Sequence, residues 1–164
     1  MEQDEQRGRA DIVVTRVVDA SMQRAWQAWV DPDDVMRWWG PTGFSAPVAD
    51  MDVREGGVSL VAMRSPDGHD LWNTWTYSVV RPGERLEFVM SFADVQGRRI
   101  TPAEAGLPAE IPDGVHHVVD FRAEDEDRIS VTVTEHGYEP GPIRDMSQAG
   151  QEQVMDKYVE VVSG

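Results

Sequence analysis

Residues 38–44 (WWGPTGF), 52–57 (DVREGG) and 65–68 (SPDG) form three separately spaced motifs in a fixed order. Their glycines, prolines and aspartates favour tight turns between more apolar segments. Three spaced motifs in one order are far harder to meet by chance than any one of them. The prediction of the fold therefore starts from this part of the chain and extends in both directions.

Upstream of these motifs the pattern predicts a strand and two short helices. Residues 12–18 are rich in β-branched side chains and predict a strand. Ser21 is a suitable N-cap for a first helix, and Asp31 followed by Pro32 is typical of the start of a second one. The apolar residues of both helices share one stripe, formed by Met22, Ala25, Trp26, Trp29, Val35, Met36 and Trp39.

Downstream, the apolar period changes to two, which is typical of strands. Six strands are predicted, at residues 48–54, 58–64, 71–80, 85–92, 115–122 and 128–136. Short turns between them favour an antiparallel meander over parallel βαβ units. The acidic run 124–127 (EDED) is interpreted as a solvated hairpin turn.

Two longer segments complete the chain. Residues 94–113 are rich in Pro, Ala and Gly, and we interpret them as either a functional lid or a surface excursion. Residues 143–162 predict a long helix whose buried face consists of Ile143, Met146, Gly150, Val154, Tyr158 and Val161. The element order is strand, two short helices, six strands and a long helix. It predicts an α+β helix-grip fold, an antiparallel sheet wrapped around a C-terminal helix.

Length and composition narrow the class of protein. We expect residues 1–11 to be a disordered tail and residues 12–164 to form a single domain. The chain contains no cysteine, which excludes thiol catalysis and disulfides. The acidic start lacks the features of a signal peptide, and no apolar run approaches membrane-spanning length. These features predict a soluble cytoplasmic protein.

The formal net charge of -15 restricts which classes of partner the protein can bind. An acidic surface repels phosphate backbones and anionic headgroups, so neither nucleic acid nor membrane is expected as a partner. Oligomeric state stays open, a homodimer included.

In the three motifs and in several downstream segments, the chain resembles the AHSA1-like (activator of Hsp90 ATPase homologue-like) family of the START/Bet v 1-like superfamily. The downstream segments are 70–72 (DLW), 82–86 (PGERL), 91–94 (SFAD) and 102–108 (PAEAGLP). The resemblance runs from about residue 12 to the end and implies a helix-grip fold around an internal cavity. It therefore implies a small hydrophobic molecule as ligand.

Three positions depart from the family pattern. Ser59 stands where many relatives carry Trp, Trp75 where they carry Gly, and Gln151 where they carry the Trp of a Gly-Trp pair. Two bulky aromatic side chains are thus lost and one is gained. We expect a reshaped cavity whose ligand preference differs from that of relatives.

Strand alternation and the helical face predict which side chains surround this cavity. The predicted cavity residues are Ser59, Val61, Met63, Trp75, Tyr77, Phe88, Met90, His117, Val119, Phe121, Val131, Met146, Val154 and Tyr158. No catalytic residue is assigned among them.

His117 is the most informative polar residue, since it shares its parity with apolar neighbours. The favoured interpretation is a buried histidine bonded to a backbone carbonyl or a tyrosine; the alternative is a ligand-orienting group or general base, with Tyr77 as a partner. Tyr158 is expected to place its hydroxyl in the cavity or at its mouth, and Trp75 is expected to serve mainly packing. Because adjacent strand residues face opposite sides, His116 and His117 do not suit one metal ion. Neither a metal nor another cofactor is expected.

Three functions remain open. The favoured one is binding of a small hydrophobic molecule without established catalysis. A cyclase- or hydratase-like enzyme working in the same cavity is the second, and a paired acid and base in the pocket would distinguish it. An interaction domain associated with a chaperone is the third.

Overall fold

The computed structural model describes residues 10–163. Its elements are β1 (Ile12–Val18), α1 (Met22–Val30), α2 (Pro32–Trp38), β2 (Ser45–Asp50), β3 (Val58–Arg64), β4 (Asp70–Arg81), β5 (Arg85–Ala93), β6 (Val115–Asp125), β7 (Arg128–His136) and α3 (Pro142–Ser163). This order confirms the predicted sequence of elements. None of these helices is both long enough and apolar enough to cross a membrane.

All seven strands form one antiparallel sheet with the order β1-β7-β6-β5-β4-β3-β2. Strands β2 to β7 follow one another as a meander, and β1 closes the order by pairing with β7 along its whole length. The sheet curls into a half-barrel around α3, which confirms the helix-grip prediction. The concave face of the sheet is therefore the inner face.

Local sequence explains where the two short helices begin. The Ser21 hydroxyl accepts a hydrogen bond from the Arg24 backbone N–H at 3.2 Å, as an N-cap should. Asp31 accepts from two backbone N–H groups at the start of α2, and Pro32 occupies the first helical position. Both predicted caps are confirmed.

A partly buried ion pair then joins the two short helices. The Arg24 guanidinium donates to both carboxylate oxygens of Asp34, at 2.7 and 3.1 Å, which joins α1 to α2. The same guanidinium reaches the Val161 carbonyl of α3 at 3.4 Å. One side chain therefore contacts all three helices.

One strand prediction is wrong. Strand β2 occupies Ser45–Asp50 and not residues 48–54. Residues 52–57 instead form a turn in which the Gly57 N–H donates to the Arg54 carbonyl at 2.8 Å. A Cβ at Gly57 would lie 2.4 Å from the Asp52 carbonyl oxygen, so the close approach of this turn requires glycine.

The boundary of the predicted tail also differs. Residues 1–9 lie outside the described residues, but Ala10 is buried and Asp11 pairs with His136, with Nδ1 and Oδ2 2.8 Å apart. The Arg144 side chain donates to the carbonyls of both Ala10 and Asp11. These contacts place the start of the folded part before Ile12.

Helix α3 presents a different face from the predicted one at its N-terminal end. Its buried residues are Gln151, Val154, Met155, Tyr158, Val161 and Val162. Met146 is 68% exposed, so its assignment to the cavity is wrong. The inward stripe at this level runs through Ser147 and Gln151, and a residue one position away is rotated by about 100° on a helix.

The segment between β5 and β6 is compact. Asp94 and Gly97 form a turn that leads back along β5, where the Ile100 N–H donates to the Phe92 carbonyl at 2.9 Å. Successive turns follow, and the half-buried Leu107 and Ile111 pack against the core. Part of the segment therefore lies against the folded core.

Candidate functional site

A cavity of about 250 Å³ lies between the inner face of the sheet, the 94–114 segment and α3. Its lining is mainly apolar, with a polar minority. The lining residues are Trp39, Pro41, Met63, Leu71, Asn73, Met90, Phe92, Leu107, Ile111, His117, Glu135, Tyr138, Ser147, Gly150, Gln151 and Val154.

The cavity occupies only part of the inner face because aromatic rings fill the remainder. Trp29 lies at the centre of this aromatic cluster, with ring centroids 4.6 to 6.5 Å from those of its neighbours. The cluster consists of Trp29, Trp38, Trp39, Trp75, Phe88 and Tyr158. Trp39 belongs to both regions, since it also lines the cavity.

The predicted cavity residues divide into two groups. Met63, Met90, His117 and Val154 line the cavity. The other inward residues are buried in the core without lining it; they are Ser59, Val61, Trp75, Tyr77, Phe88, Val119, Phe121, Val131 and Tyr158. Alternation identified the inner face correctly, but it does not distinguish a filled part of that face from an empty one.

The hydroxyls of Tyr77 and Tyr158 lie elsewhere than predicted. Tyr77 does not pair with His117, because its hydroxyl lies 2.7 Å from the Ser59 hydroxyl. The Tyr158 hydroxyl donates to the Ala25 carbonyl at 2.7 Å and thus reaches neither the cavity nor its mouth. Burial raises the pKa of both tyrosines well above the usual range, so both stay protonated.

Trp75 takes up a packing position, in agreement with the expectation. Its ring stacks on Phe88 with centroids 4.8 Å apart and meets Trp39 edge-on at 5.0 Å. Trp75 therefore occupies volume in the aromatic cluster. It closes that side of the inner face to a ligand.

His117 matches the favoured interpretation and has one further partner. Its Nδ1 lies 3.0 Å from the Val115 carbonyl, to which it donates, and its ring stacks on Phe88 at 4.8 Å. On the other side, Nε2 lies 3.4 Å from Oε1 of Glu135. Burial lowers the pKa of His117 to about 4, since there is little water to stabilise the imidazolium. At neutral pH the ring is uncharged.

Glu135 is the partner that the sequence prediction did not assign. Burial raises the pKa of its carboxyl to about 8, so at neutral pH the acid form dominates. A neutral carboxyl can donate its proton to Nε2 of His117, whose Nδ1 proton is committed to Val115. Its parity with Val131 and Val133 on β7 was the signal that could have placed it inward.

Asn73 is a second polar residue that sequence reasoning missed. It is fully buried in the middle of β4, and neither atom of its side-chain amide has a hydrogen-bond partner among the described residues. Trp39 also lines the cavity, and its indole N–H likewise has no hydrogen-bond partner among the described residues. Asn73 shares parity with Trp75 and Tyr77, so alternation could have indicated it.

Helix α3 contributes Gln151, whose side chain is buried at the cavity wall. This is one of the positions at which the sequence predicts a departure from the family pattern. Gly150 beside it adds no side chain, and both residues line the void under this turn of the helix.

A wider, open groove of about 680 Å³ lies outside the cavity. It runs between residues 101–113 and residues 137–143, and Ile111 lines both the groove and the cavity. Ile111 therefore marks the place where the covering segment separates the two spaces.

The histidines of β6 lie on opposite sides of the sheet, as predicted. His117 is buried, whereas His116 is partly exposed on the outer face and lies 2.9 Å from Glu87. Within residues 10–163, no three histidine, aspartate or glutamate side chains are grouped so that they could hold a metal ion.

Solved structures with the same fold share low sequence identity with this chain. A protein from Chromobacterium violaceum superposes with a TM-score of 0.76 at 19% identity, covering 95% of this chain and 99% of that one. The AHSA1 protein from Silicibacter pomeroyi gives 0.72 at 15% identity, covering 92% and 95%. The AHSA1-like protein from Aeromonas hydrophila gives 0.70 at 23% identity, covering 93% and 91%.

No curated protein matches the sequence significantly. The family model described as activator of Hsp90 ATPase homolog 1-like protein matches residues 19–163, which is most of the chain. Together with the helix-grip fold, this match shows that the chain belongs to the AHSA1-like family.

Proposed function

We propose that this protein binds a small hydrophobic molecule in the cavity beneath α3. The observation that carries the proposal is the mainly apolar void of about 250 Å³ in an otherwise tightly packed inner face. Ligand sites usually measure about 300 to 1,000 Å³ and combine apolar walls with a few polar groups. This cavity lies just below that range, so its ligand is smaller than a drug-sized molecule.

The covering segment supports the same proposal. Leu107 and Ile111 extend from it into the cavity wall, and Ile111 also lines the neighbouring groove. A displacement of these two side chains would widen the access from the groove to the cavity. The acidic surface favours a neutral small molecule over nucleic acid or an anionic membrane as partner.

Filling the cavity from within tests the proposal. Gly150 lines it, and a Cβ at this position meets no atom within 4 Å. Gly150→Leu should occupy the void while favouring the helix, since Leu exceeds Gly in helix propensity by roughly 0.8 kcal/mol. We expect the variant to fold and to lose binding of N-phenyl-1-naphthylamine, measured by fluorescence titration.

Ala149→Leu is the matched control, because Ala149 is the exposed neighbour on the same turn. It should leave probe binding unchanged. Unaltered binding by Gly150→Leu would show that the probe sits elsewhere and would overturn the proposal. Mass spectrometry of molecules that co-purify with the two variants extends the same comparison to the natural ligand.

A second candidate function rests on the His117–Glu135 pair, the paired acid and base that a cyclase- or hydratase-like enzyme needs. A protonated carboxyl has a proton to give, and a neutral imidazole has a lone pair at Nε2 to receive one. Both groups line the cavity. The pair is therefore suited to polarise a ligand carbonyl and to assist enolisation.

Hydrogen exchange at the α-carbons of 2-tetralone in D₂O, followed by NMR, tests this second function. The wild-type protein should accelerate exchange, and Glu135→Gln should remove the acceleration. Glu152→Gln, on the exposed side of α3, is the control and should retain it. Equal rates with and without wild-type protein would exclude this acid–base role.

A further inference from the structure

The amide of Asn73 stands out among the buried polar groups. Its cross-strand neighbours are Val61 on β3 and Phe92 on β5, and neither side chain can form a hydrogen bond with it. A buried donor or acceptor without a partner costs roughly 1 to 3 kcal/mol, and Asn73 has both kinds unpaired. An apolar residue of the same size would avoid this cost.

Asn73 lines the cavity, so a partner for its amide can come from there. The amide belongs to a central strand, whose backbone groups are already engaged with β3 and β5. Trp39 provides a second unpaired N–H at the same cavity. The wall therefore has unpaired donors on two residues and an unpaired acceptor on one of them.

Charge restricts what can satisfy these groups. No arginine or lysine lines the cavity within the described part of the chain. The acidic group present there, Glu135, is buried beside a neutral imidazole. An ionised ligand would have no counter-charge in this environment, so the ligand's polar group has to be neutral.

We infer that Asn73 is the specificity residue of the cavity and binds a neutral, mainly apolar molecule that carries one hydrogen-bond donor beside one acceptor. A lactam or a secondary amide held in the cis form has this edge. Its N–H donates to Oδ1 of Asn73 and its carbonyl accepts from Nδ2, with the Trp39 N–H as an additional donor to the carbonyl. The inference rests on the proposed function, because it names the chemistry of the ligand in the same cavity.

Three flat probes of nearly equal size test it. 2-Quinolone carries the donor beside the acceptor, coumarin replaces the donor by an ether oxygen, and naphthalene has neither. Wild-type protein should bind 2-quinolone about 10-fold more tightly than coumarin, because one buried donor or acceptor loses its partner in the coumarin complex. Calorimetric titration gives the affinities.

Asn73→Leu removes both polar atoms at similar volume. It should reduce the preference for 2-quinolone over coumarin to about 2-fold or less and leave naphthalene affinity equal or higher. Met90→Leu, another cavity-lining change without polar atoms, should alter all three affinities by a similar factor. A preference that survives Asn73→Leu overturns the inference.

NMR of the wild-type protein provides a measurement that does not depend on a folded variant. The side-chain NH₂ signals of Asn73 should shift on addition of 2-quinolone and change little with naphthalene. Naphthalene binding with no 2-quinolone preference would contradict the inference and leave the proposed function standing. Failure of all three probes and of N-phenyl-1-naphthylamine to bind would overturn both.

Discussion

The aromatic cluster and the cavity share one inner face, but the first is filled by rings whereas the second leaves a void beside polar side chains. In the cluster, the Trp38 indole N–H donates to the Ala28 carbonyl at 2.8 Å and the Tyr158 hydroxyl donates to Ala25 at 2.7 Å. At the cavity, Asn73 is unpaired and His117 meets Glu135 at the long distance of 3.4 Å. The cluster also contains unpaired donors, since the indole N–H groups of Trp29 and Trp75 have no hydrogen-bond partner among the described residues. The cavity differs because the unpaired amide of Asn73 has both a donor and an acceptor and borders empty space.

In a helix-grip protein, the hydrogen-bond partners of buried polar groups help to identify a functional site. A buried polar group that is bonded to backbone stabilises the fold, and its removal should cost stability. A buried polar group without a partner opposes folding, and its presence requires another explanation. Experiments that remove one group from each region test this difference.

The largest effect is expected in the aromatic cluster. Trp29→Ala deletes the ring that contacts Trp38, Trp75, Phe88 and Tyr158 and should lower the free energy of unfolding by about 3 to 5 kcal/mol. Met63→Ala at the half-buried cavity wall should cost no more than about 2 kcal/mol. Urea denaturation of both variants measures the difference, and equal losses would remove the distinction between the two regions.

The His117–Glu135 pair should make stability depend on pH. The pKa of Glu135 is raised by burial to about 8, so the folded state holds a proton that the unfolded state releases near its ordinary value. Its contribution is present at low pH and is lost as pH rises towards 8. His117 acts in the opposite sense, because burial lowers its pKa to about 4 and its contribution is lost as pH falls below 6.5.

The two contributions oppose each other between about pH 4.5 and 6.5, and Glu135 acts alone between about pH 6.5 and 8. Over this upper window, Glu135→Gln should remove a fall in unfolding free energy of about 2 kcal/mol or less. Denaturation of wild type and variant at several pH values measures it. A wild-type curve that stays parallel to the variant's would show that Glu135 is ionised throughout.

A smaller contrast concerns single polar groups. Tyr158→Phe removes a satisfied hydroxyl and should destabilise by about 1 kcal/mol, whereas Asn73→Leu removes an unsatisfied amide and should be neutral or stabilising. Thermal melting of both variants without ligand gives the comparison. A loss for Asn73→Leu as large as that for Tyr158→Phe would mean that the amide is satisfied in solution, for example by buried water.

The smallest effect is expected outside both regions. Met146→Ser changes a residue on the exposed side of α3 and should alter stability by no more than about 0.5 kcal/mol. Probe binding should also stay the same. A marked loss of affinity would indicate that Met146 does line the cavity, in contradiction to its exposed position.

Most of the architecture could be predicted from the sequence alone, because helix caps, turns and strand alternation depend on residues that are close together in the chain. Ser21 and Asp31 start their helices with their own side chains, and the period of two identified the inward face of the strands. The order of the three motifs indicated the family, which the family model confirms. The error in the strand predicted at residues 48–54 is also local, since a period of two does not show that the strand ends at Asp50, before the turn that brings residue 57 against the Asp52 carbonyl.

Tertiary structure alone decided which part of the inner face is empty. Parity places Trp75 and Asn73 on the same side of β4, yet whether a side chain meets a ring or a void depends on residues from α1, α2 and α3 that are distant in sequence. The pairing of His117 with Glu135 likewise follows from the register of β6 against β7. Volume and register are properties of elements packed together, so no single stretch of the chain contains them.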